Sequence, residues 1–488
     1  MTTAPILTET NAVVVVPASR IDRLMAAGRG YVFGSSASAS GRATAIRGTV
    51  WVLGGTAASQ VLRAATTIIL ARRFIGPGEF GLVALVTVFV SGLSLLTDLG
   101  VATDVVRHPR GDEPAFLNTA FLIQVARGLA LFGIAAILAA PFASIYHQPK
   151  LGWLVVAASL QVAVQGFTSS SIWTLTRNIE NNKLSMLNVS GDVAGLVVSI
   201  AWAAVSPTAW ALVAGILARA FVTMAGSHLI AKRPFKLEWD RGAARDILSF
   251  GAGMFLSSVT FFFVNEAERL VVAKFITVAE LGCFSLALTV SALPGQSFNQ
   301  VISQVFFPMI SKTAQTNRPR AAAHYGKMRQ ILLILCMGFS VVFIAFGQMI
   351  VNVVLGPKYA AAGWMLQVLG FRGAFQLFSG AATVMLFALG YSRYAAAGNT
   401  ARLAFLIIGL AIAFTRFGFR EAVWVLALSQ VVAYVPLVFG IGRHFRPALR
   451  TEIQYSLVLL GVSLLTAVLI REWHPARAAI HLWTASWL

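Results

Sequence analysis

Apolar stretches of about 20 residues, the span of a bilayer core, recur along nearly the whole chain, and no other feature restricts its fold as strongly. Thirteen such segments run at roughly 49–71, 80–104, 116–141, 151–173, 185–206, 208–231, 248–270, 280–305, 329–355, 362–390, 396–417, 421–441 and 453–471. In hydrocarbon each segment must satisfy its own backbone groups, which makes it a helix. A transmembrane β-barrel would instead show short alternating segments, and these are absent. With 57% hydrophobic and only 11% charged residues, a chain of 488 residues cannot cover a water-soluble surface. The sequence therefore specifies an all-α polytopic membrane protein.

The formal net charge of +20 would suit a nucleic-acid binder, but most Lys and Arg sit in short loops between apolar runs. That placement is the mark of membrane topology, and no nucleic-acid partner is expected. With the N-terminus in the cytoplasm, the inner segments hold Arg42, Arg47, Arg107, Arg110, Lys232, Arg233, Arg318, Arg320, Arg329 and Arg402, among others. The outer segments hold far fewer, such as Arg72, Arg73, Lys150 and Lys274, so the N-terminus is placed inside. Residues 1–45 are rich in Ser, Ala, Gly and Arg and read as a disordered cytoplasmic tail. Val13–Val16 is too short for the apolar core of a signal peptide. Cys283 and Cys336 lie within apolar segments and read as small core hydrophobes, and the scattered His residues form no ligand cluster. No metal and no cofactor are expected.

The longest loop, 232–247, divides the chain into an N-lobe (46–231, helices 1–6) and a C-lobe (248–441, helices 7–12), followed by a C-terminal helix and interfacial tail (442–488). The nonapeptide Arg73–Gly81 (RFIGPGEFG) resembles Lys274–Gly282 (KFITVAELG), and each follows the first helix of its half. An even number of spans separates them. The halves thus insert the same way up, as a parallel repeat about an axis along the membrane normal.

These residues carry a family resemblance. Arg47-Gly48, Gln60, Leu70-Ala71-Arg72, Gly76-Pro77 and Phe80-Gly81 form its first signature, and Asp98-Leu99-Gly100 its second. Leu175 with Arg177, then Phe250-Gly251 with Leu281-Gly282, then Phe307-Pro308 with Ser311 complete it. In order and spacing, over roughly residues 45–440, the chain resembles the polysaccharide-transport branch of the multidrug/oligosaccharidyl-lipid/polysaccharide flippase superfamily. It departs at Asn265–Arg269, where many relatives carry an Asp, and at Cys283-Phe284, where many have Gly-Xaa-Tyr. The resemblance implies two pseudo-symmetric six-helix bundles around a central cavity, with one or two C-terminal helices added. It also implies alternating access and a polyprenyl-pyrophosphate-linked oligosaccharide as cargo. Beyond the cargo and membrane lipid, polysaccharide polymerase machinery is the expected partner.

Ionisable groups within spans are costly and face protein or a watery cavity. Arg63, Arg127, Arg219 and Arg372 lie well inside the apolar segments, and Arg269 lies near an outer end. The acids Asp98, Asp192, Glu266 and Glu268 fall nearer the membrane faces, so mid-depth charge is cationic. Arg matches phosphate with a rigid multi-donor fork. Arg63, Arg219 and Arg372, with Arg127, are therefore the expected contacts of a pyrophosphate headgroup. Thr87, Ser91, Ser94 and Asp98 recur on one side of segment 2, while Gln296, Asn299 and Gln300 crowd segment 8 around the Pro294-Gly295 interruption. Both are expected to line the cavity. Asp98, Asp192 and Glu266 are the candidates for coupling transport to protons or sodium.

The expected function is a non-enzymatic flippase of the bacterial inner membrane, serving exopolysaccharide, capsule or O-antigen synthesis. A cation-coupled drug exporter of the same superfamily would present acids to its cargo, and the mid-depth charge here is basic. A membrane polymerase or ligase would need a sizeable outer loop, and the outer loops are short. A lipid-linked peptidoglycan precursor is a third cargo within the flippase class.

Overall fold

The computed structural model describes residues 39–95, 100–177, 180–231, 236–302 and 306–485. Among them there are no strands. The helices in chain order are α1 (Ala39–Ile69), α2 (Pro77–Leu95), α3 (Val101–Arg107), α4 (Pro114–Ile145), α5 (Pro149–Gly166), α6 (Ile172–Arg177), α7 (Asn181–Val205), α8 (Ala209–Ile230) and α9 (Arg241–Asn265). Then follow α10 (Ala267–Ala273), α11 (Val278–Val301), α12 (Phe307–Thr316), α13 (Arg318–Val354), α14 (Ala361–Ala388), α15 (Arg393–Ile412), α16 (Phe419–His444) and α17 (Arg446–Ala485). Ten of the described helices are long and apolar enough to cross a membrane. The chain is a multi-pass membrane protein.

Local sequence sets several of the ends. Pro114 and Pro149 sit at the first positions of α4 and α5, where a missing N–H costs nothing. Asp240 caps α9 by accepting from the backbone N–H groups of Gly242 and Ala243. Thr277 and Glu280 form a reciprocal capping box on α11. Segment 2, read as one span, is interrupted at Gly100, which takes φ 58° ahead of α3. Segment 7 is also interrupted, breaking at Glu266 between α9 and α10. Segment 8 runs as one helix through Pro294. The C-terminal helix expected within 442–488 is α17, which runs from Arg446 to Ala485.

Antiparallel hairpins α4–α5, α7–α8, α13–α14 and α15–α16 build the two halves. Helix α2 packs on α5 in the first half, and α11 packs on α14 in the second. The halves meet along α2 and α11, at the residues of the repeated nonapeptide. A Cβ on Gly81 would lie 1.8 Å from the Val278 carbonyl oxygen, and one on Gly282 would lie 1.9 Å from that of Pro77. In the alignment of the two nonapeptides Gly81 matches Gly282 and Pro77 matches Val278, so the contact is reciprocal. Small residues let membrane helices approach to backbone contact, and here only glycine fits. Two tyrosines tie the same end: Tyr146 Oη donates to the Leu270 carbonyl (3.1 Å) and Tyr359 Oη to that of Ile75 (3.0 Å).

At the opposite end, α9 is fastened to the first half. Ala243, Ala244 and Ile247 pack among Val101, Val105, Phe116, Leu117, Ala120 and Ile123. Arg110 Nη2 reaches Asp240 at 2.7 Å, and the Asp240 N–H donates to Thr119 Oγ1 at 2.9 Å. The loop expected at 232–247 is therefore already helical from Arg241 and rests on α3 and α4.

Two arginines read as loop cations are not in loops. Arg329 is wholly buried in α13, where Nε donates to Glu452 Oε2 (2.9 Å) and Nη2 to Tyr434 Oη (2.7 Å), with its guanidinium 3.4 Å from the centre of the Phe378 ring. Tyr325 Oη also donates to Glu452 (2.8 Å), and this cluster bolts α17 to the second half. Arg402 is buried within α15. Cys283 and Cys336 are buried and unpaired, as small core residues would be.

Candidate functional site

A cavity of about 420 Å³ opens within the first half, among α2, α5, α7 and α8. Thr87 and Ser91 of α2 line it, as the polar face of that segment led one to expect. So do Gln161, Gln165, Asn188 and Thr223, which the sequence reading did not single out. Arg219 of α8 is the one cation among its described lining residues. A second cavity of about 360 Å³ shares Val90, Ser91, Gln161 and Gln165 with the first and reaches Ser94 and Glu266. A polar track thus runs from Arg219 to the break between α9 and α10. α5, which carries Gln161 and Gln165 to the cavity, is not among the ten strongly apolar spans. A helix that wets one face needs less apolarity.

Arg219 is not a lone cation. Its Nε lies 2.7 Å from Oδ1 of Asp192, whose side chain is only 1% exposed. The approach is not aligned as a hydrogen bond, and neither Asp192 oxygen has a hydrogen-bond donor among the described residues. The close approach of α7 and α8 depends on glycine. A Cβ on Gly191 would meet Thr223 Cγ2 at 2.6 Å, and one on Gly215 would meet Ser199 Oγ at 1.8 Å. The guanidinium, about two-fifths exposed, faces the cavity while its carboxylate stays dry behind it.

Arg372 departs from the expectation of an uncompensated cation. Its Nη2 donates to Glu268 Oε1 at 2.7 Å, and Arg402 Nη2 approaches Glu268 Oε2 at 3.4 Å. All three side chains are buried. Glu268 is therefore buried between helices of the second half. Arg402, read from the sequence as an inner loop cation, joins the set; it falls inside segment 396–417 and could have been placed there. The neighbouring acid Glu266 pairs with Arg269 at 3.0 Å, so Arg269 bridges to its own helix turn.

The other expected residues scatter. Arg127 Nη2 donates to the Ser94 carbonyl at 2.6 Å, at the end of α2. Arg63 is exposed on α1, with no ion-pair partner among the described residues. Asn299 sits over Gly380 of α14, where a Cβ would lie 2.9 Å from its Oδ1. It therefore packs between helices of the second half. Gln296 and Gln300 belong to α11, but their side chains fall outside the described part. Asp98 also lies outside the described residues. No group of His, Cys, Asp and Glu among the described residues has metal-ligand geometry. The structure thus draws together Arg219 with Asp192, and separately Arg372 with Glu268 and Arg402, without joining Arg63, Arg219 and Arg372 into one site.

Comparison with known proteins places this architecture. In fold, the chain is similar to the lipid II flippase MurJ in an inward closed conformation, with a TM-score of 0.63 at 13% identity over 87% of this chain and 98% of that one. In sequence it is similar to the lipopolysaccharide biosynthesis protein WzxC of Escherichia coli, at 22% identity over 61% of this chain and 60% of the relative. It is also similar to the succinoglycan biosynthesis transport protein ExoT of Rhizobium meliloti, at 21% identity over 53% and 52%. The matches thus span about half to three-fifths of those relatives' lengths. Residues 69–363 match the polysaccharide biosynthesis protein family, and the chain belongs to that family.

Proposed function

We propose that this protein flips a polyprenyl-pyrophosphate-linked oligosaccharide repeat unit across the bacterial inner membrane, for exopolysaccharide, capsule or O-antigen synthesis. The observation that carries the reading is the cavity itself: one guanidinium, Arg219, among the neutral amides and hydroxyls of Gln161, Gln165, Asn188, Thr87 and Ser91. Neutral donors and acceptors suit a sugar, whose hydroxyls need hydrogen bonds and no net charge. A guanidinium suits a diphosphate. The isoprenoid tail stays in the bilayer between the halves, so only the headgroup needs a wet path. The halves rock about the α2–α11 seam, closing one end while the other admits cargo. With the N-terminus in the cytoplasm, the Gly81–Gly282 seam is the outer seal. Asp192 and Glu266, each beside an arginine, are the groups through which protons or sodium would couple to this motion. Asp98 remains a third candidate by its sequence position. The protein itself performs no covalent chemistry in this reading, and polysaccharide polymerase machinery would take up its product.

Reconstitution tests this. Protein in liposomes loaded with a fluorescent-labelled undecaprenyl-diphosphate oligosaccharide should expose the label to a membrane-impermeant quencher faster than protein-free liposomes. Equal rates across a panel of such glycans would end the proposal. A drug exporter would instead present a bare acid to a cationic cargo, whereas Glu266 at this cavity is paired with Arg269.

A further inference from the structure

Charge does not balance around α10. Glu268 is shared by Arg372 and Arg402, which leaves two guanidiniums on one carboxylate in a region where side chains are less than a tenth exposed. The adjacent pair, Glu266 with Arg269, is neutral in sum and offers no further anion. Donors are also left over. Nε and Nη1 of Arg372 and Nε of Arg402 are buried without hydrogen-bond partners among the described residues. Each such N–H sacrifices hydration with no return, and an excess buried cation adds to that cost. Arg329 and Glu452 in the same half, by contrast, are matched one to one, and Tyr434 Oη and the Phe378 carbonyl accept from the other Arg329 donors. The Arg372–Arg402 pair lacks only an anion with several acceptor oxygens.

The carboxylate that occupies the pair is carried on a short helix. α10 is a seven-residue helix, broken from α9 at Glu266 and followed by the turn that leads to the Thr277 cap of α11. It lies where the two halves meet, with Tyr146 of the first half donating to the Leu270 carbonyl. Opening that end breaks the tyrosine contact and frees α10 to carry Glu268 away from the guanidiniums.

We infer that Arg372 and Arg402 form a second anion seat, selective for a phosphate or diphosphate ester, and that Glu268 is its resident stand-in, which the ligand must displace. The inference rests on the flippase reading for the identity of the ester, but not for the existence of the seat. Exchange of one anion for another keeps the region from ever holding two bare cations. It also limits how tightly cargo is held, because Glu268 competes to return and so promotes release.

The test is binding of inorganic pyrophosphate to the purified full-length protein in detergent, by equilibrium dialysis at fixed ionic strength. Glu268→Gln removes the competitor and should tighten binding at least about tenfold, the scale of a single lost charge interaction. Glu268→Asp should stay near the unsubstituted protein. Arg402→Gln, which leaves a balanced Arg372–Glu268 pair and so does not depend on Glu268→Gln folding, should weaken binding by a similar factor. Unchanged affinity in Arg402→Gln, or unchanged or weaker affinity in a folded Glu268→Gln protein, overturns the inference. Liposome flipping of the lipid-linked glycan is read in parallel. Pyrophosphate behaviour as described without flipping by the unsubstituted protein would keep the seat and remove the flippase reading. Flipping with no response to Glu268→Gln would do the reverse.

Discussion

Arg219 and Asp192 show how a single buried pair changes the meaning of a substitution. Had Arg219 been an unmatched cation, neutralising it would have relieved the protein. Paired as it is at 2.7 Å to a carboxylate 1% exposed, its loss strands Asp192 in a dry environment. Arg219→Gln is therefore expected to lower stability, because the buried Asp192 carboxylate loses the guanidinium that balances its charge. Asp192→Asn combined with Arg219→Gln should recover stability but not transport. Thermal unfolding in detergent and flipping in liposomes separate the two, and full flipping by the stable double variant would remove Arg219 from the cargo path. Arg219→Lys should restore transport only in part, because the ammonium keeps the charge and loses the planar fork. The cluster around Glu452 differs in being fully buried and matched one to one. Glu452→Ala leaves Arg329 uncompensated at full burial and should cost about 3–5 kcal/mol. A drop in thermal midpoint and in membrane abundance is the expected readout.

Between elements, glycine decides how closely the halves approach. Gly81 and Gly282 each face a backbone carbonyl oxygen, which cannot rotate away as a side chain can. Valine at either position should hold α2 and α11 apart and prevent closure at that end. A cysteine placed near Gly76 should then react with a bulky impermeant thiol reagent in the Gly81→Val protein, and flipping should fall to background. Normal flipping in Gly282→Val would mean the seam is dispensable. At the opposite end, Asp240 ties α9 to the first half. The Arg110 guanidinium, and then the backbone N–H groups of Gly242 and Ala243, hold its carboxyl below the ordinary carboxylate range. A carboxyl depressed in the folded state contributes stability above its unfolded range and loses it as pH falls towards the folded value. Protection of the amides across residues 236–247, taken relative to intrinsic exchange at each pH, should therefore hold from neutral pH down to about pH 4, the ordinary carboxylate range, and fall below it. Arg110→Ala should show reduced protection already at neutral pH.

At the scale of the whole molecule, the two halves are alike in plan, with two antiparallel hairpins each and a leading helix, α2 or α11, at the seam. The second half carries an additional helix, α17, held by Glu452 and packed on α13 and α16. The proposed orientation rests on charge alone: an N-terminus in the cytoplasm puts most of the basic loops inside. In a background lacking Cys283 and Cys336, a cysteine at position 78 should react with an impermeant reagent in intact cells stripped of the outer membrane. Reaction only after the inner membrane is opened would invert the topology and make the Gly81–Gly282 seam a cytoplasmic seal.

What the chain's order of residues determined alone was whatever depends on near neighbours. Runs of about 20 apolar residues dictate helices in hydrocarbon, and the short loops dictate hairpins. The nonapeptides at Arg73 and Lys274 announce the repeat. The polar face of α2 was legible too, because Thr87 and Ser91 fall at helical spacing on one side. The tertiary structure decided which charges meet. Glu268 reaches Arg372 across 104 residues, and Asp192 and Arg219 sit on neighbouring helices. Those pairings depend on how each helix is rotated about its axis, and helix rotation is fixed by packing against others. Arg402 and Arg329 were read as loop cations because they fall near segment ends, yet packing buried both. Gln161 and Gln165 went unnoticed because two amides in an apolar run give no sign of facing water. Hydropathy measures what a segment is made of, and only the fold decides which side of it faces lipid, protein or a cavity.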